Sequence, residues 1–262
     1  MDDIALAFEH VRKTFGRRVA LADFSLTVRA GELFGLVGIN GAGKTTLIKC
    51  LLDFATADSG SIRLFGVPSE VTAARAPLAF LPERFLPPYY LTGRDFLRYM
   101  ARLHRAPYHE TAIGAMCDAL DLDRRALELP VRSFSKGMTQ KLGLAACLLS
   151  GKRLYILDEP SSGLDPKARA LLKRELQKLR AGGATLFVTS HLLADIEQLC
   201  DRMAVLHEGA IRYVGTPAGL LERARTRDME QAFLACIESS PAAGERTSGT
   251  DSEGVRDSEG VR

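Results

Sequence analysis

Tryptophan is absent from this chain, and cysteine is both scarce and scattered. The five cysteines, Cys50, Cys117, Cys147, Cys200 and Cys236, form no CxxC pair. A disulfide framework or a cysteine-held metal is therefore not expected, and buried reduced thiols are the better reading. No stretch approaches the roughly 20 consecutive apolar residues that would cross a bilayer. The first residues, Met1-Asp2-Asp3-Ile4-Ala5, are acidic where a secretory leader would be basic. No charge of one sign dominates either. The formal net charge is +3 with 26% of residues charged, and no basic stripe stands out, so a nucleic-acid partner is not expected. These absences point to a soluble, reduced, cytosolic chain, and any work at a membrane would need a second chain to supply the membrane part.

What is present suits an α/β domain with an appendage, at 262 residues and 46% hydrophobic. Short strands are expected at Ile4 to Phe8 and Ala20 to Val28, with turns at Phe15-Gly16 and Ala30-Gly31. Leu33 to Val37 reads as a buried strand leading into a helix over Lys44 to Leu52. Apolar residues then recur at helical spacing (Phe96, Tyr99, Met100, Leu103; Ile113, Met116, Cys117, Leu120), which predicts a helical subdomain beginning near residue 92. From Leu154 the pattern alternates: strand Leu154 to Leu157, helix Lys167 to Arg180, strand Thr185 to Val188, helix His191 to Leu199. That alternation predicts a mainly parallel sheet with helices on its faces. Ser239 onward is poor in large apolar residues and ends in DSEGVR twice, so residues 239–262 are expected to be a disordered tail.

Two segments carry chemistry. Gly38-Ile39-Asn40-Gly41-Ala42-Gly43-Lys44-Thr45-Thr46 contains GxxxxGK(S/T) between an expected strand and an expected helix. Its glycines let successive N–H groups point inward at a helix amino terminus, which makes an anion nest. Lys44 supplies an ammonium for β- and γ-phosphates, and the Thr45 hydroxyl can ligate Mg²⁺. Leu154-Tyr155-Ile156-Leu157-Asp158-Glu159 is an apolar strand ending in two carboxylates, placed where ligands bind in open α/β sheets. Asp158 can hold Mg²⁺, and Glu159 is the natural general base for an attacking water.

With these segments in place, the stretch from Ile4 to about Gly219 resembles the ABC ATPases. Phe134-Ser135-Lys136-Gly137-Met138 resembles the family signature, usually LSGGQ, with Lys and Met replacing Gly and Gln. Ser135 opens a helix there, a further site for an anion. Ser161 to Pro166 resembles the D-loop, which implies Asp165 at a subunit interface. Thr189-Ser190-His191 resembles the switch-histidine motif, which implies His191 near the γ-phosphate as a catalytic partner of Glu159 and Lys44. Phe15 resembles the aromatic that stacks on adenine. Glu83 stands where the family usually has glutamine; a carboxylate cannot donate as an amide does, yet both ligate Mg²⁺ through oxygen. Glu83 and the Ser-Lys-Gly-Met signature resemble a subgroup that serves export-type permeases, as does the short helix expected from Asp228.

The resemblance implies an α/β P-loop NTPase core with a mainly parallel sheet, an amino-terminal antiparallel β part and a helical subdomain. The core would cover residues 1–220 with the subdomain at about 92–150, followed by a helical extension at 221–238. It implies ATP and Mg²⁺ as ligands, with each ATP held by the loop of one subunit and capped by Ser135 and Gly137 of another. The subunit would form a homodimer, or a heterodimer with a relative, beneath separate permease subunits at the cytoplasmic face of the membrane. The alternative is a soluble ATPase of the same superfamily acting as an assembly or mechanical factor. A catalytically idle regulatory subunit would be expected to lack Lys44, Glu159 or His191, and all three are present.

Overall fold

The computed structural model describes residues 4–238, so the tail expected at 239–262 lies outside the described residues. The chain opens as an antiparallel ribbon, Ile4–Phe15 (β1) and Arg18–Arg29 (β2). Both strands exceed their expected bounds. Register shifts between Phe8 and Val11 and beyond push Glu9 and His10 outward, with His10 at φ 50°, so the period of two is broken in sequence while the ladder continues. Leu33–Val37 (β3), buried throughout, leads into Lys44–Leu51 (α1). Ser59–Leu64 (β4) and Val67–Pro68 (β5) return to the ribbon and complete a sheet of order β2-β1-β4-β5.

Leu78–Leu81 (β6) precedes the helical region, Gly93–His104 (α2), Glu110–Ala119 (α3) and Lys136–Leu148 (α4). The expected helicity here holds, except that Arg124–Glu128 is a short 3₁₀ segment started by the Asp123 side chain. Leu154–Asp158 (β7), Pro166–Ala181 (α5), Thr185–Ser190 (β8) and Leu193–Leu199 (α6) follow. His191 was expected to open α6 but stands before it. Its backbone N–H is committed to Glu159 and that of Leu192 to the Ser190 hydroxyl, so the helix starts two residues later. Arg202–His207 (β9), Ala210–Gly215 (β10), Pro217–Ala224 (α7) and Met229–Glu238 (α8) close the chain. The second sheet has order β10-β9-β3-β8-β7-β6, parallel but for β10 at its edge.

The central strands are apolar on both sides because both sides are covered. Leu154, Ile156 and Phe187 face a core shared with α1 and the amino-terminal sheet, whereas Tyr155, Leu157, Leu186 and Val188 face the helices α2 to α6. Phe34 and Phe187 stack across β3 and β8 with ring centroids 5.9 Å apart. All five cysteines are free and buried, and burial pushes the Cys147 thiol up to about 12. Among the described residues no helix is long and apolar enough to cross a membrane. The carboxyl ends of β3, β7 and β8 converge on the first turn of α1, and that edge carries the site.

Candidate active site

The glycine-rich loop joins β3 to α1 because its backbone takes conformations closed to other residues. Gly43 caps α1 at φ 119°, and a Cβ there would lie 2.5 Å from the Ala20 carbonyl oxygen. No side chain caps this helix and no acidic residue occupies its first turn, so its N–H groups and dipole face the cleft uncompensated. The loop is braced from behind, where Gly209 N–H donates to the Ala42 carbonyl at 2.9 Å. Lys44 is 7% exposed; its Nζ donates to the Gly38 carbonyl at 2.5 Å and lies 3.7 Å from Glu159 Oε1.

Parallel pairing sets the opposite wall. β7 and β8 run in register with Asp158 beside Thr189. Thr189 Oγ1 donates to Asp158 Oδ1 at 2.5 Å, and the Glu159 N–H is shared between Thr189 Oγ1 at 3.1 Å and the Thr189 carbonyl at 3.2 Å. Glu159 itself sits in the left-handed region at φ 51°. A buried glutamate in that conformation costs roughly 1–3 kcal/mol and persists where its surroundings hold it, commonly at functional sites. Its Oε2 accepts from the His191 backbone N–H at 3.2 Å and pairs with His191 Nδ1 at 2.7 Å. Burial raises the Asp158 carboxyl above the usual carboxylate range, and the charges of Glu83 and Glu159 push the same way.

Phe15, Ile39, Asn40, Gly41, Gly43, Lys44, Thr45, Thr46, Glu83, Asp158 and Glu159 line one cleft of about 350 Å³. Gly38 and Ala42 are not among its lining residues and contribute carbonyls to Lys44 and Gly209. His191 is likewise not a lining residue and reaches the site through Glu159. Arg18 and Ala20 join the wall although no motif marks them. Arg18 faces Phe15 across the β1–β2 turn and donates to the Gly41 carbonyl at 3.1 Å, so cross-strand pairing with Phe15 was the available signal.

Ser135, Gly137 and Asp165 do not line this cleft. The Ser135 hydroxyl accepts the Met138 N–H at 3.2 Å as the cap of α4, the helix that Ser135 was expected to open. A Cβ on Gly137 would lie 3.1 Å from the Gly163 carbonyl, and Asp165, two residues further on, caps α5 by accepting the Ala168 N–H at 2.9 Å. The buried Gln140 side chain, on α4, donates to the Pro160 carbonyl at 3.0 Å and so ties this helix to the residue after Glu159.

Comparison with known proteins fits this geometry. A family model described as ABC transporter matches residues 21–162. An ABC transporter ATP-binding protein of Synechocystis sp. is 40% identical over 205 residues, covering 77% of this chain and 58% of that protein. A Nod factor export ATP-binding protein I of Sinorhizobium fredii is 36% identical over 225 residues, with coverage of 84% and 65%. Its namesake in Burkholderia lata is 37% identical over 221 residues, with coverage of 82% and 72%. The chain thus spans less than two thirds of the length of the first two of these relatives. A solved structure of an ATP-binding subunit of an ABC transporter superposes with TM-score 0.80 at 28% identity, covering 88% of this chain and 99% of that one. A dimeric ATP-binding cassette in a post-hydrolysis state, bound to ADP and phosphate, shares the fold with TM-score 0.73 at 18% identity, covering 80% of this chain and 98% of that one. With its phosphate loop and paired carboxylates at one sheet edge, and relatives of this similarity, the chain belongs to the ABC transporter family of ATP-binding proteins.

Proposed function

We propose that this chain hydrolyses ATP to ADP and phosphate as one of two paired ATPase subunits, and that this drives export through separate membrane permease subunits. The observation that carries the reading is the meeting of Lys44, Asp158 and Glu159 at the open amino terminus of α1. Lys44 exchanges its internal partners, Gly38 and Glu159, for β- and γ-phosphate oxygens, and the N–H groups of Gly41 and of Gly43 to Thr46 take the remaining phosphate charge, that of Ala42 being bonded to the Ile39 carbonyl. Phe15, 52% exposed at the mouth, offers its ring to adenine.

Glu159 takes the proton of the attacking water as general base. His191 and Thr189 hold it in place, one at the carboxylate and the other at the backbone. The donor set fits Mg²⁺. Asp158 is a carboxylate whose proton affinity is raised first by burial and then by the charges of Glu83 and Glu159, a cost that a cation relieves. Thr45, Asp158 and Glu83 would hold it, and it would neutralise charge developing on the phosphoryl oxygens.

The partner subunit enters through Ser135 and Gly137. They lie outside their own chain's cleft, and Asp165 neighbours them through Gly163. Paired head to tail, as a homodimer or a heterodimer with a relative, each subunit would cap the ATP of the other. On this reading the working unit would run to about residue 220 with the helical subdomain at about 92–150, and the extension of 221–238 would take in the end of Pro217–Ala224 (α7), which crosses that boundary, and Met229–Glu238 (α8). Leu86, Tyr89 and Tyr90, all exposed and just beyond Glu83, supply an apolar surface for the permease at the cytoplasmic face. The names of the Nod factor relatives support export as the direction. The test is recovery of the tagged chain from detergent-extracted membranes together with a multi-span partner. Recovery from the soluble fraction alone would refute the transport reading.

A further inference from the structure

We propose that Thr189 is the positioning residue for the Mg²⁺-ligating carboxylate, a role that rests on the ATPase reading above. A threonine near the end of a buried strand ordinarily needs no explanation beyond its β-branched shape. Here the hydroxyl is engaged both as donor and as acceptor. Thr189 is 0% exposed, stands directly beside Asp158 in the parallel register, and donates its one proton to Asp158 Oδ1 at 2.5 Å. Thr189 Oγ1 in turn accepts the Glu159 N–H at 3.1 Å.

One side chain therefore fixes two consecutive residues with different tasks. The bond to Oδ1 stops Asp158 from rotating and leaves Oδ2 free of that bond and available to a cation. The bond from Glu159 N–H helps hold that residue at φ 51°, from where its carboxylate reaches His191 and Lys44. Valine would fill the same volume and keep the strand, but it would leave the buried Asp158 carboxylate without this donor. Partners that orient a metal ligand in this way typically change metal affinity or activity by about 10–100-fold when removed.

The decisive experiment measures binding of ATP to the purified chain, first in excess chelator and then across a Mg²⁺ titration. The wild-type chain gains affinity as Mg²⁺ is added; absence of any gain would overturn the ATPase reading and this proposal with it. Thr189→Val should raise the Mg²⁺ concentration for half-saturation by about 10–100-fold while leaving affinity in chelator unchanged. Thr189→Ala, which also lacks the hydroxyl and adds no apolar methyl, should move with it, and Thr189→Ser should return to within about threefold of wild type. A wild-type Mg²⁺ dependence in folded Thr189→Val or Thr189→Ala overturns the inference. So does an equal loss with and without Mg²⁺, which would mark a merely structural role.

Discussion

Replacing Glu159 by glutamine separates binding from chemistry at this site. The two side chains are nearly isosteric, and an amide oxygen can still accept the bond from His191 that Oε2 now takes at 2.7 Å. Lys44 loses its partner at 3.7 Å but keeps the Gly38 carbonyl at 2.5 Å. At that separation and an effective dielectric near 20, the lost Coulomb attraction is about 4 kcal/mol, an upper figure that the desolvation of both groups largely offsets. The change frees the ammonium for phosphate, so ATP affinity is expected to hold or to rise by up to about tenfold, or roughly 1.4 kcal/mol. Hydrolysis should fall by about 10²–10⁴-fold, or roughly 3–5 kcal/mol of barrier, because an amide cannot take the proton from water. Steady-state phosphate release, read beside equilibrium binding of ATP, measures both. Near-normal turnover in Glu159→Gln refutes the assignment of the base. Loss of binding in a folded variant refutes the view that Lys44 has a sufficient second partner.

Two other perturbations address the adenine side of the cleft. Arg18→Met removes the guanidinium opposite Phe15 and its bond to Gly41, and ATP affinity should weaken by about 5–10-fold while the melting temperature of the free protein stays put; unchanged affinity in an equilibrium titration would exclude Arg18 from the site. Asp58 holds Lys13 and Thr14, just before Phe15, and the Lys13 bond above all, followed by those from Thr14, brings its carboxyl down to about 2. A folded value below the unfolded one, which is about 3.9, gives stabilisation that is complete above that pH and is lost as pH falls through the folded value. Asp58→Asn should therefore melt lower than wild type at neutral pH, and the gap should close as pH falls from about 4 toward 2. A gap that stays constant over this range in thermal unfolding would contradict the role given to Asp58.

The phosphate loop was legible because its chemistry is local. Nine consecutive residues, Gly38 to Thr46, contain the conformational freedom, the lysine and the hydroxyl, and the strand before and helix after are marked by their own apolar patterns. Asp158 and Glu159 were legible for the same reason, at the end of an all-apolar run. Only tertiary structure made Thr189 more than a strand residue, since its meaning comes from a parallel register that sets it beside Asp158, 31 positions away. Arg18 needed the β1–β2 pairing, and the bulges at Glu9 and His10 hid that ribbon's length from a period-two reading. Lys44 and Glu159 lie 115 positions apart in the chain, yet their charged groups stand 3.7 Å apart in the fold. The order of residues along the chain sets which chemical groups are present and which of them are neighbours in sequence. The closing of β3, β7 and β8 around α1 decided which of them touch, because hydrogen bonds and ion pairs act over a few ångströms and only packing brings distant segments that close.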